Sequence, residues 1–253
     1  LNYKEQNDMF KISQIKELFM KKITLMLLIL FYAVNLNAQQ KVSIPSVVSG
    51  IQKFYDLAYG ISAIFVQEAT IKSINKVQVS KGEVYFKKPG KMAWIYQEPT
   101  KQKIISDGLN LWMYMPESKQ VIKNRTNQAF ATETPQNFLS GFGNINRDFM
   151  VNFAPPIFDE QKNILLEFIP RNPQHSWTKI YATAKPIQYK GETIYQIIQT
   201  TLYDRFGNMN KISFYNINVY EKDEAFKIPD AYFHFTPPPD VQVIEPPATL
   251  KSR

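Results

Sequence analysis

The stretch Lys87–Tyr114, KKPGKMAWIYQEPTKQKIISDGLNLWMY, decides the fold. Pro89-Gly90, Glu98-Pro99 and Asp107-Gly108 are turn signals that divide it. Between them the residues alternate. Met92, Trp94 and Tyr96 fall on one face, and Lys91, Ala93, Ile95 and Gln97 on the other. Trp112 and Tyr114 share a face further on. Period two is strand spacing, so the pattern predicts three short strands with large apolar side chains on one side of a sheet.

Working outward, Ile61–Ile71 and Ser80–Lys87 also read as strands, the second alternating Gly82, Val84 and Phe86 with Lys81, Glu83 and Lys87. Lys119–Asn124 is a sixth. Short turns between consecutive strands predict an antiparallel meander. Upstream, Val47, Val48, Ile51, Phe54, Tyr55 and Ala58 have helical spacing within Ile44–Tyr59, with Ser46 as the expected N-cap and Gly60 as the stop. Downstream, Arg125–Met150 breaks the pattern. Within it Pro135–Ser140 followed by Gly141 has the proline-first, glycine-after signature of a short helix, and Phe138 and Leu139 give it an apolar side. Strands resume at Ile164–Ile169, Ile180–Ala184, Thr193–Tyr203, Asn210–Tyr220 and Tyr232–Thr236, with Asp204–Asn208 as a hairpin loop. The tail after Glu245 is expected to be loose.

The N-terminus carries a different signal. Met20-Lys21-Lys22 precedes an apolar run, Ile23–Val34, and Leu36-Asn37-Ala38 fits a cleavage site for export after Ala38. Residues 1–38 are therefore expected to be an upstream extension plus leader, with translation starting at Met20 or Met9. Residues 39–253 are expected to form one domain. The formal net charge is +8 but the lysines are scattered, which points to a solvated exterior more than to an anionic lipid surface, and gives no nucleic-acid stripe. There is no cysteine, so neither a disulfide framework nor a thiolate metal site can form.

Ten or eleven strands share one long apolar face, and only one good helix and a short insertion are available to cover it. A curved sheet under a helical lid leaves space for an apolar guest. Periodicity alone favours an interior filled by its own side chains.

The motifs go further. Lys87-Lys88-Pro89, Trp94-Ile95-Tyr96, Glu98-Pro99, Ile104–Gly108 and Leu111-Trp112-Met113-Tyr114 together resemble the outer-membrane lipoprotein carrier protein (LolA) family. So do Phe65-Val66-Gln67, Asp204–Asn208 with Ile212-Ser213-Phe214, and the Phe233–Pro238 region. The resemblance implies an unclosed β-barrel with a helical lid over an apolar cavity. It implies a periplasmic chaperone that takes acylated lipoproteins from an inner-membrane ABC exporter, shields their acyl chains and passes them towards an outer-membrane receptor lipoprotein, acting as a monomer without cofactor or metal. Such receptors share the fold and carry an acylated N-terminal cysteine, so a chain without cysteine resembles the shuttle. Under this reading Phe65, Val84, Phe86, Met92, Trp94, Tyr96, Trp112 and Tyr114 line the acyl-chain site, and Phe138 and Leu139 belong to the lid. The family's basic residue before the proline is usually an arginine that latches the lid through backbone carbonyls. Here Lys88 stands there, either as that latch or as a solvated edge lysine, and Lys87 is available to share the task.

Two other functions compete. An enzyme would need chemistry that His175, His234, Asp204, Asp223 and Glu224 do not display, because none sits at motif spacing from a nucleophile or metal partner. A periplasmic lipid-binding sensor or regulatory module of the same fold would usually carry a further C-terminal domain, whereas this chain ends soon after the expected barrel.

Overall fold

The computed structural model describes residues 20–22, 42–125, 144–171 and 177–245. The chain divides into two units, Leu1–Val42 and Ser43–Arg253. The expected leader beyond Lys22, the lid segment with Phe138 and Leu139, His175 and the tail after Glu245 lie outside the described residues. Among the described residues no helix is long and apolar enough to cross a membrane.

The second unit opens with helix α1, Ile44–Leu57. Ser43, not Ser46, is the N-cap: its hydroxyl accepts from the Ser46 N–H, and Ser46 returns the bond to the Ser43 backbone, a reciprocal capping box. Val47, Val48, Ile51, Phe54 and Tyr55 form its buried stripe. Nor is Gly60 its stop. The helix ends at Leu57 with Ala58 in an extended conformation, and Gly60 already begins a strand.

The strands are β1 (Gly60–Ile71), β2 (Lys76–Lys87), β3 (Lys91–Glu98), β4 (Gln102–Asp107), β5 (Asn110–Met115), β6 (Gln120–Arg125), β7 (Phe149–Phe158), β8 (Ile164–Pro170), β9 (Trp177–Tyr189), β10 (Glu192–Asp204), β11 (Met209–Tyr220) and β12 (Gln242–Ile244). A one-turn helix, α2 (Ile145–Asp148), precedes β7. All twelve strands form one unclosed sheet in the order β12-β6-β5-β4-β3-β2-β1-β11-β10-β9-β8-β7. It is two antiparallel meanders, β1–β6 and β7–β11, joined where β1 pairs with β11. The short β12 is the exception, running parallel to β6.

Two strands are additions to the sequence-based expectation. β7 contains Pro155-Pro156, which reads as a breaker. It survives because β7 is an edge strand, where a missing N–H need not face a partner. The strand expected at Tyr232–Thr236 is absent: Asp230–Phe233 is a 3₁₀ turn followed by irregular chain. This segment crosses the outer face of the sheet, where no strand edge exists to pair with, and its aromatics bury by packing instead. Phe233 and Ile228 form a core with Ala93 and Ile105, and Tyr85 stacks on Tyr232 with centroids 4.1 Å apart. Lys87 and Lys91 tie the segment down through Asp230 Oδ1 at 3.0 and 3.1 Å.

Candidate functional site

The inner face is the side on which α1 lies. Strand register carries it from β1 to β4: Ile61 pairs with Phe86, Ala63 with Val84 and Phe65 with Gly82. Phe86 then pairs with Met92, Val84 with Trp94 and Gly82 with Tyr96. Phe65, Val84, Phe86, Met92, Trp94 and Tyr96 are therefore on one face: the alternation groups them within each strand, and the register joins the strands. All but Tyr96 are buried. Phe65 sits between two rings, 4.9 Å from Trp94 and 4.8 Å from Tyr96 by centroid. Gly82 makes this possible. A Cβ there would lie 2.1 Å from Ile95 O and 2.9 Å from the Phe65 ring.

Trp112 and Tyr114 are elsewhere. Ile105 pairs with Trp112 and Lys103 with Tyr114, which puts both on the outer face, where they pack against Phe235 with centroids 6.3 and 5.4 Å away. They do not belong to the inner face. Residues missed from the sequence are Ile61, Ala63, Ile197 and Phe214, all buried on the α1 side. For Phe214 the signal was present, since Ile212 and Phe214 alternate through Ser213 in β11.

α1 closes this face. It packs chiefly on β10, and Gly50 allows the approach: a Cβ there would meet the Tyr195 ring at 2.6 Å. Lys53 pairs with Glu192. Between Phe54 and Tyr55 of α1 and Ile61, Ala63, Val84 and Phe86 of the sheet there remains a cavity of about 10 Å³, room for roughly one water molecule. Burial pushes the Tyr55 hydroxyl well above the ordinary tyrosine range, partly offset by a hydrogen bond with the Ile197 backbone. Further along the inner face a polar chain crosses the strands. Tyr96 Oη donates to Gln67 Oε1 at 2.9 Å, and Gln67 Nε2 donates to Asn210 Oδ1 at 2.9 Å. Burial pushes the Tyr96 hydroxyl up to about 12.

Lys88 meets the end of α1. Its Nζ donates to Tyr55 O at 2.7 Å and Asp56 O at 3.0 Å, two last-turn carbonyls that have no partner within the helix. Burial lowers the lysine's pKa, against the field of the Asp56 carboxylate. Lys87 reaches the opposite way, to Ile228 O and Asp230. His234 is exposed, and no group of three or more metal-ligating side chains is found among the described residues.

The family model of the outer membrane lipoprotein carrier protein LolA matches residues 57–235. The outer-membrane lipoprotein carrier protein of Nitrosomonas europaea is 30% identical over 199 residues, covering 79% of this chain and 89% of the relative. That of Nitrosospira multiformis is 28% identical over 198 residues, covering 78% and 87%. A solved LolA superfamily protein from Nitrosomonas europaea superposes with a TM-score of 0.42 at 12% identity, over 75% of this chain and 98% of that one.

Proposed function

The chain belongs to the outer membrane lipoprotein carrier protein LolA family, and from that premise we propose that it carries acylated lipoproteins through the periplasm after export behind a cleaved leader. In this reading it receives them from an inner-membrane ABC exporter and delivers them to the outer membrane, with or without a separate receptor lipoprotein. The observation that carries the proposal is the inner aromatic face of β1–β3 beside helix α1, whose last turn hangs on Lys88.

The energetics define the device. A buried methylene is worth ~0.8 kcal/mol, so a chain of ~16 carbons brings on the order of 12 kcal/mol. A carrier competes with a bilayer only if it hides most of that chain, and a site for such a guest needs roughly 300–1,000 Å³. The cavity that Phe54 and Tyr55 share with Val84 and Phe86, about 10 Å³, is far smaller. Loading at this place moves α1 off Val84 and Phe86, and its tie to the sheet has to be firm enough to close the empty protein yet weak enough to yield to an acyl chain. Lys88 suits that role, because two hydrogen bonds from a flexible ammonium hold less rigidly than a guanidinium fork. Met92, unbranched and polarisable, suits a surface that accepts chains of varied shape.

The test is to purify the protein from its own compartment and identify co-purified acylated material by mass spectrometry. The reading predicts lipoproteins in the wild-type sample and their loss when Val84 is replaced by glutamate. Wild-type samples that never hold an acylated protein would refute it.

A further inference from the structure

β1 leaves the end of α1 and runs twelve residues to the far rim of the sheet, where two hairpins end side by side. One is the β1–β2 turn, Lys72–Asn75, and the other the β10–β11 loop, Arg205–Asn208. The Lys72 N–H donates to Asn208 Oδ1 at 3.0 Å, and Gly207 lies against the Lys72 side chain. Large apolar side chains stand in water here: Phe206 is 82% exposed, Ile74 64% and Val77 54%, with Ile71 and Val79 behind them.

Phe206 does not ride on a slack loop. The Asp204 carboxylate accepts from the backbone N–H of Phe206 and of Asn208, both at 2.8 Å, and from Asn208 Nδ2 at 2.7 Å. The phenyl ring is thus held outwards by a turn with its own bonding in place, so little ordering cost remains for binding through it. Basic side chains predominate at the tips. Lys72, Lys76 and Arg205 sit at the tips, with Lys81 and Lys211 behind, paired to Glu98 and Glu68. No acidic residue occurs from Ile71 to Gly82 or from Arg205 to Tyr220, and the Asp204 carboxylate is taken up by its own loop.

We propose that these paired tips dock on an anionic phospholipid bilayer, Phe206 and Ile74 entering the acyl boundary while Lys72, Lys76 and Arg205 meet the phosphate headgroups. Apolar chains ringed by cations match a surface that is greasy beneath and negative above, and neither half alone suffices for stable attachment. The proposal is independent of what fills the inner face and of Lys88, which lies at the other end of β1 and β2.

The chain has no cysteine, so one introduced at Ser73, between the tips, carries a unique environment-sensitive fluorophore, and one at Leu109, on the opposite rim, serves as the control. The full chain is mixed with phosphatidylglycerol-rich vesicles and with pure phosphatidylcholine vesicles. The expected result is a blue-shifted, brighter emission at Ser73 with the anionic vesicles only, reversed by high salt, and none at Leu109. The double variant Ile74→Asp, Phe206→Asp should partition on the order of a hundredfold more weakly. Neutralising Lys72, Lys76 and Arg205 to glutamine should cost roughly fivefold per cation. All five side chains project from the surface, and an unchanged near-ultraviolet circular dichroism spectrum checks that the variants fold. A Ser73 probe that stays in water, an equal shift with neutral vesicles or at Leu109, or full binding by the folded aspartate variant would overturn the proposal.

Discussion

Replacing Lys88 by leucine tests how α1 is held. The helix ends without a left-handed glycine cap, so its last carbonyls need partners from outside. Phe54 O receives the Ala58 N–H at 3.0 Å, and Lys88 Nζ supplies Tyr55 O and Asp56 O at 2.7 and 3.0 Å. Hydrogen bonds from a charged donor contribute ~1.5–3 kcal/mol each, so the pair amounts to roughly 3–6 kcal/mol before costs. A cation at a helix C-terminus adds about 0.5 kcal/mol. Ordering the lysine side chain takes back about 2 kcal/mol, and partial burial of the ammonium takes back more. The net is about 2 kcal/mol, or ~30-fold in the population with the end of α1 detached. Native-state hydrogen exchange at Tyr55–Ala58 measures this directly. In Lys88→Leu those amides should lose about 30-fold protection, while amides of Trp94 and its neighbours in β3 keep theirs. Lys88→Arg, which retains donors at the same place, should restore most of it. Unchanged protection at Tyr55–Ala58 in the leucine variant, or an equal loss in β3, would refute the reasoning.

Gly82→Ala should cost on the order of 3 kcal/mol, seen as a lower urea midpoint with unchanged slope, because the new methyl meets the Ile95 carbonyl and the Phe65 ring together. Tyr96 should ionise late. Burial raises its pKa from 10.0 to about 12, so its contribution to stability is complete below 10.0 and is lost as pH rises through about 12. Tyrosinate absorbance in wild type and Tyr96→Phe identifies the late component, and the phenylalanine variant should lose ~1 kcal/mol at neutral pH by leaving Gln67 Oε1 without its donor. Asp230→Ala should loosen the segment that crosses the outer face, since Lys87 and Lys91 both end on that carboxylate, and limited proteolysis between Glu221 and Asp240 should quicken.

The middle of the first meander was legible because turn chemistry separates its strands from β2 to β5. Pro89-Gly90, Glu98-Pro99 and Asp107-Gly108 stand between strands with period two, and β1–β6 fall within a few residues of where that pattern puts them. β7 was hidden because a diproline argues against a strand until its edge position is known, and β12 because three residues carry no period. The end of α1 was misplaced at Gly60 because its cap comes from Lys88, thirty residues away in sequence, which no local rule sees. The polar chain Tyr96–Gln67–Asn210 was invisible for the same reason: its members lie on three strands, brought together only by the pairing of β1 with β11 and the bulged register at Gly82.

Trp112 and Tyr114 expose the limit of the alternation itself. Period two says which residues of one strand share a face; it does not say which face continues across a hairpin. From β3 to β4 the register pairs even with even, Trp94 with Ile104 and Met92 with Ser106, so even numbers stay inside. From β4 to β5 it pairs odd with even, Ile105 with Trp112, and the inner face passes to odd numbers. The turn geometry at Asp107–Asn110 sets that switch: Asp107 Oδ1 accepts from the N–H of both Leu109 and Asn110 at 2.7 Å. An aromatic in β5 therefore serves the outer face, where a C-terminal crossing segment needs apolar ground. The inner side of β5 is left to Leu111, Met113 and Met115, and with Met92 on β3 that face carries three methionines, a softer wall than tryptophan and tyrosine would make.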